Sequence, residues 1–279
     1  MKTIKQYRTV IISDVHLGSE GSKAKEVTAF LKSITCEKLI LNGDIIDGWQ
    51  LKKGGSWKKK HTNFFRTILK MIETQNTKVV YLRGNHDDFL DQIIPFSLGK
   101  SFSIQRDCVI SSGKKMFFIT HGDIFDSVTS RFKWLAHLGD IGYTFLLTIN
   151  KLYNQYRAWR GFPYYSFSQM IKQKVKNAVN YVSDFEEKLA ELAKANNCDG
   201  IICGHIHKPA IRQIENITYM NSGDWVESMT ALVEDYEGNW QLFYYINEYS
   251  FELSDDESEE IDDYHTMASV KGFAMSIIS

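Results

Sequence analysis

The stretch of sequence that decides the fold reads Val79-Val80-Tyr81-Leu82-Arg83-Gly84-Asn85-His86-Asp87. A short run of β-branched and aromatic residues leads directly into a glycine and a cluster of polar side chains. The apolar run predicts a strand that is buried on both faces and ends in a sharp turn. Because ligands of open α/β sheets bind just beyond the carboxyl ends of strands, this turn is a candidate site.

The same arrangement recurs along the chain. Six runs of this kind predict strands: Thr9–Ser13, Lys38–Asn42, Val79–Arg83, Met116–Thr120, Gly200–Cys203 and Ile217–Asn221. Helical patterns over Lys23–Ser33 and Thr62–Thr74 separate the first three strands, so the first part of the chain is predicted to be β-α-β-α-β. The predicted fold class is therefore α/β.

Two segments differ from the rest of the chain. Residues 127–195 are rich in aromatic residues, have a helical period and fall between two predicted strands. We interpret them as a helical cap inserted into a domain that spans residues 1–250. Residues 251–279 begin with a run of acids and are predicted to form a disordered tail.

Composition and charge limit the possible functions. The 279 residues are 43% hydrophobic with only 3 prolines, which excludes collagen-like, low-complexity and wholly disordered proteins. The net charge is -1, but eight of the 34 acids lie between Glu252 and Asp263. This leaves 26 acids against 32 bases in residues 1–251, so the body of the protein is mildly basic.

Cysteine usage and hydropathy indicate where the protein acts. The cysteines form no Cys-x-x-Cys pair, which argues against a disulfide framework or a zinc–thiolate site; they are Cys36, Cys108, Cys198 and Cys203. No apolar run approaches the roughly 18 residues that a membrane span needs. We expect a cytoplasmic protein that can touch a membrane surface.

Five polar clusters follow five of the predicted strands. They are Asp14-Val15-His16, Gly43-Asp44, Gly84-Asn85-His86-Asp87, His121-Gly122-Asp123 and Gly204-His205-Ile206-His207. In an extended segment residues i and i+2 point the same way, so Asp14 and His16 can be presented together, as can His205 and His207. Parallel strands bring such clusters to one edge, where one site can gather them all.

The side chains in these clusters suit metal ions. Seven of these side chains, namely two aspartates, four histidines and one asparagine, with no thiolate, form a ligand set for a pair of Mn²⁺, Fe, Co or Zn ions. Any single cluster has an ordinary explanation, since Gly-Asn-His-Asp is also a common turn sequence. Five clusters after five strands favour a dinuclear site.

The order of these motifs resembles the calcineurin-like metallophosphoesterase superfamily over Asp14 to His207. The resemblance implies a β-sandwich flanked by helices, with two divalent ions, Mn²⁺ first and Fe, Co or Zn as alternatives. One ion is expected at Asp14, His16 and His207. The other is expected at Asn85, His121 and His205, with Asp44 bridging both.

The resemblance also implies a reaction, the two-metal hydrolysis of a phosphoester or phosphoanhydride. His86 is expected to stabilise the transition state or to protonate the leaving oxygen; the alternative is a residue that only shapes the turn. Asp47, Asp87 and Asp123 are expected to orient the ligating histidines through hydrogen bonds.

Within the superfamily the chain is most similar to the UDP-2,3-diacylglucosamine pyrophosphohydrolase group of lipid A biosynthesis. The similarity lies in Ser13–Gly18, the cap and Gly223-Asp224-Trp225. It implies cleavage of a nucleotide–diacyl-sugar to a lipid monophosphate and UMP on the cytoplasmic face of the inner membrane. Proteins of that group carry Arg in place of His86, and their cap is shorter. The alternative is therefore that the substrate is another lipid-linked or nucleotide-linked phosphodiester.

The cap offers candidate substrate-binding residues. Ser168, Lys172 and Lys176 follow one another at intervals of four, so they share a helix face that can bind the nucleotide phosphates. The alternative is a solvated basic face.

Two other functions compete with lipid-nucleotide hydrolysis. A nuclease would use the same metals, but the body is less basic than nucleic-acid enzymes usually are, and no stable nucleic-acid partner is expected. A non-catalytic scaffold would have lost metal ligands, and none of the seven is missing.

Overall fold

The computed structural model describes residues 4–125, 153, 155–157, 159–162 and 182–245. Most of the predicted cap, with Ser168, Lys172 and Lys176, lies outside the described residues, as does the whole predicted tail. The chain divides into two compact units, one of residues 1–122 and 192–279 and the other of residues 123–191. The cap and tail therefore stay predictions.

The first unit consists mainly of strands. In chain order they are β1 Lys5–Ile12, β2 Ile34–Asn42, β3 Lys78–Leu82, β4 Phe96–Leu98, β5 Phe102–Gln105, β6 Asp107–Ser112, β7 Lys115–Thr120, β8 Gly200–Cys203, β9 Ala210–Ile214, β10 Ile217–Asn221, β11 Thr230–Glu234 and β12 Trp240–Tyr244. The helices are α1 Ala24–Lys32, α2 Gly48–Lys52 and α3 Lys59–Gln75. A short 3₁₀ helix spans Asp88–Gln92. In the second unit, another spans Asp123–Phe125, and residues 182–195, which begin in that unit, are helical.

The strands form two sheets. Seven strands pair in the order β12-β11-β1-β2-β3-β5-β4, and five pair in the order β6-β7-β8-β10-β9. β1, β2 and β3 run parallel, as do β7, β8 and β10. The predicted α/β class and sandwich are confirmed, and the parallel strands bring five polar loops to their carboxyl ends.

Each face of the larger sheet is buried in a different core. Val10 and Ile12 of β1 pack with Phe30 of α1 and Phe64 of α3. Ile11, between them in sequence, packs instead against residues of the second sheet. Successive strand residues point to opposite faces, and full burial of one such side chain contributes about 1.5–3 kcal/mol. This two-sided burial explains why the strand sequences are almost continuously apolar.

The six predicted strands and both predicted helices are present, with ends shifted by a few residues. The strands that were not predicted are mostly short and half-exposed. β6 buries two residues, β12 buries one and β9 buries none. Their sequences therefore lack the apolar run that marks β1 to β3. Within the described residues, no helix is both long and apolar enough to cross a membrane.

His61 closes the first turn of α3. It is buried, and its Nδ1 accepts a hydrogen bond of 3.2 Å from the backbone N–H of Lys58. Burial, and then the charges of Lys60 and Lys58, lower the pKa of His61 from 6.5 to about 4. The folded protein therefore keeps this imidazole neutral, as the accepting Nδ1 requires.

We expect His61 to make stability depend on pH. Because the pKa is lower in the folded state, this contribution is complete above about pH 6.5 and is lost as the pH falls towards about 4. His61→Gln keeps a hydrogen-bond acceptor but does not titrate. Between pH 7 and pH 4.5, the wild type should lose about 1 kcal/mol more unfolding free energy than the variant, after allowance for solvent screening. Urea unfolding measures both, and parallel pH curves would exclude this role.

Candidate metal centre

Six histidines and aspartates predicted as ligands meet, together with His86, at the carboxyl ends of the parallel strands. In three overlapping groups the ligand atoms lie within 4.8 Å of one another: Asp14, His16 and His207; His16, Asp44 and His86; and Asp44, His121 and His205. Asp44 belongs to two of these groups. Each group has the residue types and the spacing to hold a metal ion.

The two aspartates divide their oxygens in the same way. Oδ2 of Asp14 accepts the backbone N–H of His205 at 3.0 Å, while its Oδ1 lies 3.1 Å from Nε2 of His207. Oδ1 of Asp44 accepts the backbone N–H of His86 at 2.8 Å, while its Oδ2 lies 3.3 Å from Nε2 of His121. In each carboxylate one oxygen fixes a neighbouring loop and the other faces the histidines.

The backbone that presents these ligands is not extended. Asp14, His16, Asp44, His205 and His207 all have positive φ angles, between 50° and 69°. The expectation that an extended strand end aligns residues i and i+2 was therefore wrong, and left-handed turns orient these side chains instead. Each such residue costs about 1–3 kcal/mol, and strain of this kind concentrates at functional sites.

The loops are tied together by backbone hydrogen bonds. Asp14 N–H donates to Gly43 O at 3.0 Å, and His16 N–H donates to Asp44 O at 2.9 Å. These bonds continue the parallel pairing of β1 and β2 beyond the strand ends. Gly43 itself has a φ of +78°, and a Cβ there would collide with the His121 ring. The close approach of the loops therefore depends on glycine.

Two buried polar side chains in the cluster have atoms suited to binding a cation. The amide of Asn85 and Nε2 of His16 are buried, and neither makes a hydrogen bond within the part of the chain that the structure describes. Buried polar atoms in native proteins nearly always have a partner. The Asn85 amide oxygen and His16 Nε2 therefore fit divalent ions as their ligands.

The electrostatics of the cluster also favour cations. Burial raises the pKa of Asp14, but His207 and His121 outweigh it and bring the pKa down to about 2. Burial likewise opposes ionisation of Asp44, yet His121, His16 and His86 hold its pKa far below the usual range. Both carboxylates are therefore ionised at neutral pH, as metal ligands must be.

His86 lies at the edge of the cluster, with 19% of its side chain exposed. Its Nδ1 is 3.0 Å from Oδ1 of Asp47, and its Nε2 is 4.0 Å from Oδ2 of Asp44. The other oxygen of Asp47 lies 3.5 Å from Nδ1 of His16. Asp47 thus contacts one predicted ligand and the predicted catalytic histidine, and its pKa is lowered by these contacts although burial opposes this.

Asp87 contacts the backbone rather than a histidine. Its carboxylate accepts the N–H groups of Ile46 at 2.8 Å and Ile45 at 3.2 Å, which fixes the loop after β2. Burial, and then the charge of Asp44, raise its pKa to about 7. These contacts differ from the predicted orienting role. Asp123 begins a 3₁₀ helix in the second unit, and its role stays a prediction.

Two residues that position the loops and ligands of the centre were not predicted from the sequence. The carbonyl of Asn42 lies 2.9 Å from Nδ1 of His121 and so directs Nε2 towards Asp44. The buried amide of Asn221 donates to Gly204 O at 2.8 Å and accepts from Gly223 N–H at 2.9 Å. For Asn221 the available signal was a polar side chain at the end of an apolar strand, whereas the backbone carbonyl of Asn42 leaves no signal in the sequence.

The close packing around Gly84 gives a prediction. A Cβ there would collide with the Asp44 carboxylate and approach the His121 ring to 2.9 Å. We expect Gly84→Ala to lower Mn²⁺ affinity at least about tenfold, because misplaced ligands lose metal affinity. Metal content after loading and dialysis, measured by mass spectrometry, tests this.

The matched control is Gly113→Ala. Gly113 has a φ of +57° but nothing within 4 Å of an added Cβ, so this variant should lose about 1 kcal/mol of stability and no metal. Equal metal content in both variants would rule out the proposed crowding at Gly84.

The chain is similar to known proteins in sequence and in structure. A family profile described as calcineurin-like phosphoesterase matches residues 7–209. A UDP-2,3-diacylglucosamine hydrolase of Blochmanniella pennsylvanica is 27% identical over 74% of this chain and 81% of that protein. One of Wigglesworthia glossinidia brevipalpis is 25% identical over 80% and 89%. A solved archaeal phosphodiesterase covers 85% of this chain and 98% of its own, with a TM-score of 0.41 and 15% identity. The family match includes all five polar loops.

Proposed function

The chain belongs to the calcineurin-like phosphoesterase family, and on that premise we propose that it hydrolyses the pyrophosphate bond of a UDP-diacylglucosamine-type lipid nucleotide. The products would be a lipid monophosphate and UMP. The broader activity, metal-dependent hydrolysis of a phosphoester or phosphoanhydride, follows from the family and from relatives named as hydrolases. The observation that carries the proposal is the convergence of Asp14, Asp44 and the histidines in three overlapping groups whose ligand atoms lie within 4.8 Å of one another.

The predicted ligands would form two adjacent metal sites. Asp14, His16 and His207 would bind one divalent ion, and Asn85, His121 and His205 the other, with Asp44 shared. When bound there, two Mn²⁺ ions would lower the pKa of a water molecule and neutralise charge on the phosphoryl oxygens. The protein keeps these ligands fixed through the backbone bonds to Asp14 and Asp44.

His86 is proposed as the catalytic residue. Asp47 accepts the proton on Nδ1, so Nε2 is the nitrogen that faces the centre. From there the imidazole can stabilise charge on the transferred phosphoryl group or donate a proton to the leaving oxygen. Its partial exposure leaves space for a substrate to approach.

The identity of the substrate is supported by the relatives. Five proteins named UDP-2,3-diacylglucosamine hydrolase are 22–27% identical, and the matches cover 81–98% of their lengths. Ser168, Lys172 and Lys176 are proposed to bind the nucleotide phosphates. A lipid-linked substrate also implies contact with the cytoplasmic face of the inner membrane.

One observation favours a second candidate, a phosphodiesterase for another nucleotide, nucleic acid or lipid-linked ester. The histidine at position 86 takes the place of the arginine expected for the lipid A group. A histidine can donate a proton near neutral pH, whereas an arginine acts only as a fixed positive charge. This difference makes a substrate with a poorer leaving group possible.

The test compares two substrates with the Mn²⁺-loaded protein, UDP-2,3-diacylglucosamine and bis(p-nitrophenyl) phosphate. We expect release of UMP from the lipid nucleotide. His86→Ala should lower kcat by about 10²–10⁴-fold without loss of bound metal, because general acid–base catalysis contributes that much. Product formation by mass spectrometry and metal content are the measurements.

His61→Gln serves as the control, since it changes a buried histidine outside the centre. Cleavage of the small diester alone would remove the lipid nucleotide as substrate and favour the second candidate. An undiminished kcat in His86→Ala would remove His86 as the catalytic residue.

A further inference from the structure

Three consecutive residues contact three different parts of His86. The Asp47 carboxylate lies 3.0 Å from Nδ1, and the N–H of Gly48 donates to the His86 carbonyl at 3.0 Å. The indole of Trp49 lies against the imidazole, with ring centroids 4.3 Å apart and planes inclined by 33°. The start of α2 therefore holds this histidine by its ring nitrogen, its backbone and its ring face.

The loop that carries His86 also holds the segment that leads into α2. Asp87 accepts hydrogen bonds from the N–H groups of Ile45 and Ile46. Asp88 accepts a hydrogen bond of 3.3 Å from the indole N–H of Trp49. The loops after β2 and β3 thus fix each other. Within this pair of loops the Trp49 ring has a defined orientation, although 39% of its residue surface is exposed.

A second ring limits the imidazole from another side. His16 meets His86 edge-on, with centroids 4.6 Å apart and planes at 90°. With Asp47 on Nδ1 and Trp49 on one face, rotation about the side-chain bonds would break at least one of these contacts. The remaining nitrogen, Nε2, points towards Asp44.

We infer that Trp49 is a positioning residue that acts through His86, by stacking on the imidazole and keeping Nε2 directed at the metal centre. This inference rests on the catalytic role proposed for His86. Stacking of an aromatic pair contributes about 0.5–1.5 kcal/mol beyond its buried area, enough to favour one rotamer of a partly exposed side chain. Trp49 itself need not touch substrate.

The first experiment is a double-mutant cycle with Trp49→Ala and His86→Ala, assayed on bis(p-nitrophenyl) phosphate with Mn²⁺-loaded protein. Trp49→Ala should lower kcat by about 10–100-fold, with KM within about twofold, because a misdirected catalytic group costs rate more than binding. In the His86→Ala background the same change should have little further effect. Trp49→Phe, which keeps a stacking ring, should recover most of the loss.

The second experiment does not depend on activity. In metal-free protein labelled with ¹³C at histidine Cε1, the signal absent from His86→Ala identifies His86. Trp49→Ala should move that signal towards the position of an unstacked histidine, because the ring current of the indole is removed. Trp57→Ala is the control, since the Trp57 ring packs on His61 and Phe65, and it should leave the His86 signal and kcat unchanged.

Three outcomes would separate the hypotheses. If Trp49→Ala lowers kcat equally in both backgrounds, Trp49 does not act through His86 and the inference is wrong. An unmoved His86 signal in Trp49→Ala would likewise overturn it. If His86→Ala retains full activity, the catalytic role of His86 fails, and the NMR comparison then decides only whether Trp49 stacks on the His86 ring. Thermal unfolding of each variant shows whether the fold is intact.

Discussion

The structure of the centre depends on how two buried carboxylates use their oxygens. Removing an ionised carboxylate from water costs several kcal/mol, so Asp14 and Asp44 must find partners on every side. Each gives one oxygen to a backbone N–H of a distant loop and the other to the histidines. Since the two carboxylates also repel each other, positive charge between them is favourable, which histidines provide in part and divalent ions provide more fully.

Because the partners of these carboxylates include backbone groups, the loops themselves become rigid parts of the site. Asp14 and Asp44 have left-handed backbones, and Gly84 lies where a side chain would strike Asp44. Such conformations are costly and persist only when the surrounding structure fixes them. The two apolar cores on either side of β1 to β3 provide that fixed surrounding.

Much of this could be predicted from the sequence, for a physical reason. Strands buried on both faces must be apolar along their length, so β1, β2 and β3 were recognisable, and the polar residues after them marked the loops. The half-exposed β6 and β9 carry no such pattern. The carbonyl of Asn42 could not be identified as the partner of His121, because every residue has a carbonyl. Nor does sequence spacing show that Trp49 lies on His86, since that contact is made between two loops.

The bond from the His205 amide to Asp14 joins loops that are 191 residues apart in the chain. During synthesis, the Asp14 carboxylate leaves the ribosome long before this amide exists, since chains grow at about 5–20 residues per second. A nascent chain that ends after β3 carries Asp14, Asp44 and Asn85 but neither His205 nor His207. The loop that carries His205 and His207 is therefore the last of the five to be synthesised, and Asp14 gains the His205 amide as a partner only after β8 exists.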